Sequence, residues 1–207
     1  MPRAFNPSKV FGGLMMIGLL VVGSLMFGHI IRRLLAEDPP SVGVEAPQFS
    51  LPQLDTASSV SLNSLRPRVV LLEFWTSTCV GCIGATPKLN RLHERYREQG
   101  FMVLSINMDG DGGQQARDVV RGRGIKYPVL IDPGQVAERY GVYATPTAIL
   151  LDAHGKIFSV HKGNVTETRL NKEVKQLIQR RDGAVNSRAQ PLSPSAQTPV
   201  LAEQSRE

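Results

Sequence analysis

The two cysteines of this chain, Cys79 and Cys82, stand three positions apart in Leu71-Leu72-Glu73-Phe74-Trp75-Thr76-Ser77-Thr78-Cys79-Val80-Gly81-Cys82. Helical residues at i and i+3 share one face, so the two sulfurs can approach closely enough to bond. A cysteine on the first turn of a helix also lies near the positive end of the dipole, which favours thiolate over thiol. Such a dithiol can exchange disulfides with other proteins. Two plainer roles compete. A structural disulfide closing so short a loop removes little chain entropy. Half of a zinc site would need two more ligands, yet His29 lies in an apolar run, and no two of His93, His154 and His161 have the usual metal spacing.

The elements that must hold this pair follow from the hydrophobic pattern. Val69–Trp75 is a continuous apolar run with one carboxylate, Glu73, and predicts a buried strand. Leu89, Leu92 and Tyr96 recur at helical spacing in 80–99, and Gly100 ends that helix. Phe101–Met108 predicts a second strand, 109–113 a turn, 114–123 a helix, 127–131 a short strand and 135–140 a short helix. Residues 147–151 and 156–161 read as a strand pair around the turn 152–155. Residues 166–181 form a last amphipathic helix, with Leu170, Val174, Leu177 and Ile178 inward. Upstream, 49–51 and 60–62 are two short extended segments. Strands alternating with helices imply an α/β sheet covered on both faces.

The chain has 207 residues, enough for one domain with appendages. Residues 1–9 are short and basic. Residues 10–31 form an apolar run of 22 residues, about 33 Å as a helix against a hydrocarbon core of about 30 Å. The reading is an uncleaved transmembrane anchor; a cleaved signal peptide is the alternative, although its apolar region usually spans only about 7–15 residues. The flanking charges, Arg3 and Lys9 against Arg32 and Arg33, give a slight preference for an inside N-terminus. Residues 32–42 are a linker, 43–182 the folded domain, and 183–207 a tail whose composition predicts disorder. The net charge is +6, but between Gly43 and Asp182 eighteen basic residues face fourteen acidic ones. The bases are scattered rather than striped with aromatics, which argues against nucleic acid as a partner.

In its ordered features the segment from Gly43 to Arg181 resembles the thioredoxin superfamily, in particular the membrane-anchored TlpA/ResA-type thiol-disulfide oxidoreductases. Gly43-Val-Glu-Ala-Pro47-Gln-Phe-Ser-Leu51 is similar to that subfamily's opening segment. Phe74-Trp75 with the cysteine pair is similar to its active-site strand and helix start. Pro87 matches its helix-kinking proline, Tyr143-Ala-Thr145-Pro146-Thr147 its cis-proline loop, and Asp152-Ala-His-Gly155-Lys with Gly163 its closing hairpin.

The resemblance implies a thioredoxin-like fold, a central mixed sheet with helices on both faces, behind an N-terminal transmembrane helix. It implies a protein-disulfide reductase at the bacterial cytoplasmic membrane, single-pass, its redox domain facing the periplasm or the cell exterior. No cofactor or metal is implied. Cys79, at the helix start, would be the exposed nucleophile, and Cys82 would be shielded and would resolve the mixed disulfide. Glu73 would occupy the buried acidic position beneath the disulfide and help deprotonate Cys82; the other possibility is an edge-strand carboxylate reaching solvent. Thr145 and Pro146 would meet an extended substrate segment, the Thr145–Pro146 bond being cis, and Trp75 would be a core residue with one edge near the site. The expected partners are disulfide-bearing clients, such as apocytochrome c or copper-site assembly proteins, and a membrane thiol carrier supplying electrons. The chain departs from the family at Thr78, where most relatives have a second tryptophan, at Val80-Gly81, which lacks the common proline, and at Ala85, where an acid is frequent. Those changes bear on potential and partner surface.

Two other functions fit parts of the pattern. Thr76-Ser-Thr-Cys79 carries the T-x-x-C of peroxiredoxins, although Leu72 replaces their proline and Cys82 is too near to be their usual resolving cysteine. A tethered adaptor or Cu(I)-binding protein could also use the two thiols.

Overall fold

The computed structural model describes residues 18, 20–28, 40–56 and 58–189. The chain divides into two units, Met1–Pro39 and Pro40–Glu207. In the first, residues 20–28 are helical with Leu20, Leu25 and Phe27 exposed. Most of the expected anchor at 10–31 lies outside the described residues, and among those described no helix is long and apolar enough to cross a membrane.

The second unit begins with a small antiparallel pair, β1 (Ser50–Pro52) and β2 (Ser59–Ser61), followed by a 3-10 turn at Leu62–Leu65. Then come β3 (Val69–Trp75), α1 (Val80–Tyr96), β4 (Phe101–Asn107), α2 (Gln114–Arg123), β5 (Val129–Ile131), α3 (Gln135–Arg139), β6 (Thr147–Leu151), β7 (Ile157–Lys162) and α4 (Glu167–Ala189). The five-stranded sheet has the order β5-β4-β3-β6-β7. Strand β3 is central, parallel to β4 and antiparallel to β6. This is the expected α/β architecture with a central mixed sheet.

Strand β3 carries a continuous apolar run because both of its faces are covered. With a side-chain period of two, Val70, Leu72 and Phe74 enter a core with Phe49, Val136 and Tyr140. Val69 and Leu71 enter the opposite core, with Leu89 and Leu92 of α1 and Leu170 and Val174 of α4. Each fully buried side chain of this kind stabilises the fold by about 1.5–3 kcal/mol. Trp75 continues the second face into a smaller cluster with Leu54, Cys82, Ala116 and Val129. The strand that supplies the core thus runs straight to the cysteine pair.

Several boundaries shift by one residue from the sequence pattern, α1 gives way to a 3-10 turn at Arg97–Gln99, and two further differences have a clear cause. Strand β5 begins at Val129 rather than Tyr127, since Pro128 has no N–H to give to a ladder. Helix α4 continues to Ala189, past the expected end at Arg181, so residues 183–189 are helical where composition predicts disorder. An established helix gains one hydrogen bond per added residue, and it needs no apolar face to do so. Arg181 anchors it, donating to the carbonyls of Gln99 and Gly100 at 2.8 and 3.2 Å. Gly100 has φ +74°, and an added Cβ would lie 2.0 Å from the Arg181 guanidinium, so a side chain there would be strained and would displace Arg181 from these carbonyls. The rest of the expected tail, 190–207, lies outside the described residues.

Candidate active site

The site is built where β3 ends and α1 begins. Met108 N–H donates to the Trp75 carbonyl at 2.9 Å, holding the ends of β3 and β4 together, and Cys79 N–H donates to the Thr76 carbonyl at 3.1 Å to close a turn. Asp109 fastens that turn. Its carboxylate accepts from Ser77 N–H at 2.9 Å, from the Ser77 hydroxyl at 2.5 Å and from the fully buried Asn107 amide at 2.7 Å. Cys79 then occupies the N-cap of α1, where its sulfur accepts from Cys82 N–H at 3.1 Å. Sulfur at this position faces the unpaired N–H groups of the first turn, which favours negative charge on it.

Cys79 and Cys82 form a disulfide with Cα atoms 5.3 Å apart. The two sulfurs differ in access. Cys79 is half-buried beside Val80, which is 83% exposed, whereas Cys82 is 2% exposed. The cis-proline loop closes over the pair. The Thr145–Pro146 bond is cis, as expected from the resemblance, and so is Arg66–Pro67. The Pro146 carbonyl accepts from Gly163 N–H at 2.8 Å. Gly81 packs against this loop: a Cβ there would stand 3.3 Å from Asn164 Nδ2 and 3.6 Å from Pro146 Cδ.

Glu73 lies two residues before Trp75 on the same face of β3 and is 5% exposed, a buried carboxyl rather than an edge residue reaching solvent. Its Oε2 accepts from the Ser105 hydroxyl at 3.1 Å and, more weakly, from the Tyr127 hydroxyl at 3.4 Å. Burial pushes the carboxyl up to about 7; the bonds from Ser105 and Tyr127 and the Lys88 ammonium oppose that rise without cancelling it. Burial, together with the nearby Glu73, also pushes the Tyr127 phenol well above its ordinary range. Glu73 lines a cavity of about 20 Å³ with Lys88, Pro146 and Asn164, about the room one water needs. Lys88 Nζ donates to the Val165 carbonyl at 2.7 Å across this cavity's wall.

The structure therefore gathers Cys79, Cys82, Glu73, Thr145 and Pro146 at one end of the sheet. Trp75, read as a core residue with one edge near the site, is 2% exposed and packs in a cluster with Cys82; its indole Nε1 has no partner among the described residues. Two of the described histidines have partners of their own. His93 Nδ1 accepts from Val103 N–H at 3.2 Å, and His161 pairs with Glu173 at 2.8 Å. Among the described residues no group of three side chains could hold a metal ion. Sequence reasoning passed over Asp109, Ser105, Tyr127 and Asn164. Only Asp109 left a signal, as an acid in a glycine-rich turn directly after a strand.

A profile of the AhpC/TSA family matches residues 42–160. The chain belongs to this thioredoxin-like family. Its relatives include the thiol-disulfide oxidoreductase ResA of Halalkalibacterium halodurans, 32% identical over 167 residues that cover 79% of this chain and 93% of the relative. ResA of Bacillus thuringiensis subsp. konkukian is 28% identical over 160 residues, covering 77% of this chain and 91% of that protein. Among solved structures, a Chlorobium tepidum protein described as a DsbE-type thiol:disulfide interchange protein is 30% identical with a TM-score of 0.63, covering 67% of this chain and 99% of that one. The protein is a thiol-disulfide oxidoreductase of the ResA/DsbE type, acting on disulfide-bearing substrates.

Proposed function

We propose that this oxidoreductase works as a tethered reductase outside the cytoplasm. Cys79 thiolate attacks a client disulfide, forming a mixed disulfide and releasing one client thiolate. Cys82 then attacks the Cys79 sulfur, closing the Cys79–Cys82 bond and releasing the second client thiolate. Two electrons pass to the client, and the protein is left oxidised. Glu73 takes the Cys82 proton as that thiol becomes the nucleophile. Thr145 and Pro146 present backbone to an extended client segment, while Trp75 supports Cys82 from below. The observation that carries this reading is the unequal access of the paired sulfurs, Cys79 reachable beside Val80 and Cys82 enclosed. The apolar stretch 10–31 would anchor the protein in the bacterial cytoplasmic membrane with the domain on the periplasmic or outer side. A membrane thiol carrier would restore the dithiol, and clients would include apocytochrome c or copper-site assembly proteins.

Expression of Cys82→Ser protein in its host tests this. Mixed disulfides through Cys79 should accumulate, and their partners can be identified by mass spectrometry. Absence of any adduct while the unmodified protein remains active would refute the scheme. A second reading, thiol peroxidase, is favoured by the AhpC/TSA match together with Thr76-x-x-Cys79. It predicts that Cys82→Ser protein still consumes peroxide. Insulin reduction that requires both cysteines, without peroxide turnover, excludes it.

A further inference from the structure

An open groove runs along the start of α4, between it and β7, on the side of the domain where Asn164 neighbours the disulfide loop. It forms because β7 is the edge strand of the sheet, with α4 passing next to it. The groove has two adjoining parts, of about 440 and 520 Å³, which share Thr166 and Arg169. Its near end includes Asn164, the residue against which Gly81 of the disulfide loop packs. Its far end reaches Gln176.

The charge in this groove is one-sided. Lys162, Arg169 and Lys172 line it and are exposed. Among the described residues neither Lys162 nor Lys172 forms an ion pair. The one carboxylate in the wall, Glu173, is already engaged: Oε2 accepts from Ser159 at 2.8 Å and pairs with His161 at 2.8 Å, and Oε1 accepts from Arg169 at 3.0 Å. Burial alone would push this carboxyl up, but the bonds from His161, Ser159 and Arg169 outweigh that and hold it below the ordinary range. Glu167 is turned to Arg91 on α1. The open cations are therefore left for an outside partner.

We propose that this groove docks an acidic segment of the client protein, setting which disulfides reach Cys79. The inference rests on the reading above, in which proteins are the clients. The groove borders the disulfide loop through Asn164, so a client segment continuing past the disulfide can enter it, and the unpaired Lys162 and Lys172 suit carboxylates. Exposed pairs of this kind act more on encounter and choice of partner than on tightness.

The test uses the reduced full-length protein and two disulfide-bearing peptides of equal length. One carries four Asp or Glu residues beside its disulfide, and the other carries Ser at those positions. The acidic peptide should be reduced about tenfold faster at low ionic strength, as two or three exposed charge pairs allow, and the advantage should vanish near 1 M salt, where the Debye length is about 3 Å. Lys162→Glu with Lys172→Glu should remove or invert the preference, while Lys162→Arg with Lys172→Arg should retain it. Equal rates for the two peptides, or a preference that survives charge reversal, would overturn the proposal. The Ser-flanked peptide separates two failures. If it is reduced and the acidic one gains nothing, the groove is no docking site although exchange stands. If neither is reduced, the exchange reading fails and the groove falls with it.

Discussion

Two buried carboxyls in this domain have opposite surroundings. Asp132, at the end of β5, is fully buried and accepts three backbone N–H bonds, from Gly134 at 3.0 Å, Val136 at 3.1 Å and Ala137 at 2.8 Å. It satisfies the start of α3, N–H groups that would otherwise lack partners. Glu73, on the central strand, receives one hydroxyl bond of ordinary length and one long one, beside a water-sized cavity. Asp132 is matched by three backbone donors. Glu73 is surrounded by too few of them, so its charge is held only weakly and its proton is easily moved. The difference makes Asp132 part of the scaffold, and in the proposed scheme it leaves Glu73 able to take a proton.

Replacing each carboxyl would break this contrast if it were wrong. Asp132→Ala should lower stability by about 3–5 kcal/mol in urea unfolding, since three donors lose a charged acceptor at once. The rate of disulfide reduction per folded molecule should stay within about twofold. Glu73→Gln should do the reverse. Reduction should slow roughly 10- to 100-fold, the size of a lost proton transfer. Stability at pH 8 should rise by roughly 2–3 kcal/mol, because a carboxyl raised from 4.5 to about 7 opposes folding once ionised. If Glu73→Gln destabilised the protein as Asp132→Ala does, Glu73 would be structural too.

The pH dependence sharpens the point. Between its unfolded value of 4.5 and its folded value of about 7, the Glu73 carboxyl binds more proton in the folded chain than in the unfolded one. Its contribution to stability therefore falls as pH rises through that window and is flat above it. Denaturant midpoints measured from pH 5 to 8 should show this slope in the wild type and lose it in Glu73→Gln. Ser105→Ala should have the smallest effect. It removes one bond that holds the Glu73 proton affinity down, so the midpoint of the rate–pH profile should move upward by about half a unit to one unit.

Much of this was legible in the residues, for reasons that differ by element. The apolar continuity of Val69–Trp75 could only suit a strand covered on both faces, and the cysteine spacing fixed where its chemistry lay. Glu73 stood out because a carboxylate interrupts that run. Pro146 was read as cis from family resemblance alone, since local sequence favours trans. Asp132 was passed over although Asp132-Pro-Gly precedes a short helix, a pattern that suits an acid bonding N–H groups ahead of it. The Asp109–Ser77 fastening spans 32 positions, and Tyr127 meets Glu73 across 54. No local period reports such contacts. The same holds for the groove, whose lysines sit on a strand and a helix that read individually as solvated surface.

The short bridge between the sulfurs has two positions with unequal latitude. Val80 projects outward and can be exchanged for almost any side chain without disturbing its neighbours, so partner preference can drift there. Gly81 sits closer to its neighbours: a methyl group there would ask the Asn164 amide, at 3.3 Å, to give by a few tenths of an ångström, while Pro146 at 3.6 Å would be in ordinary contact. Retuning this enzyme through the intervening pair is therefore simplest at Val80, whereas a larger residue at Gly81 would also have to move Asn164.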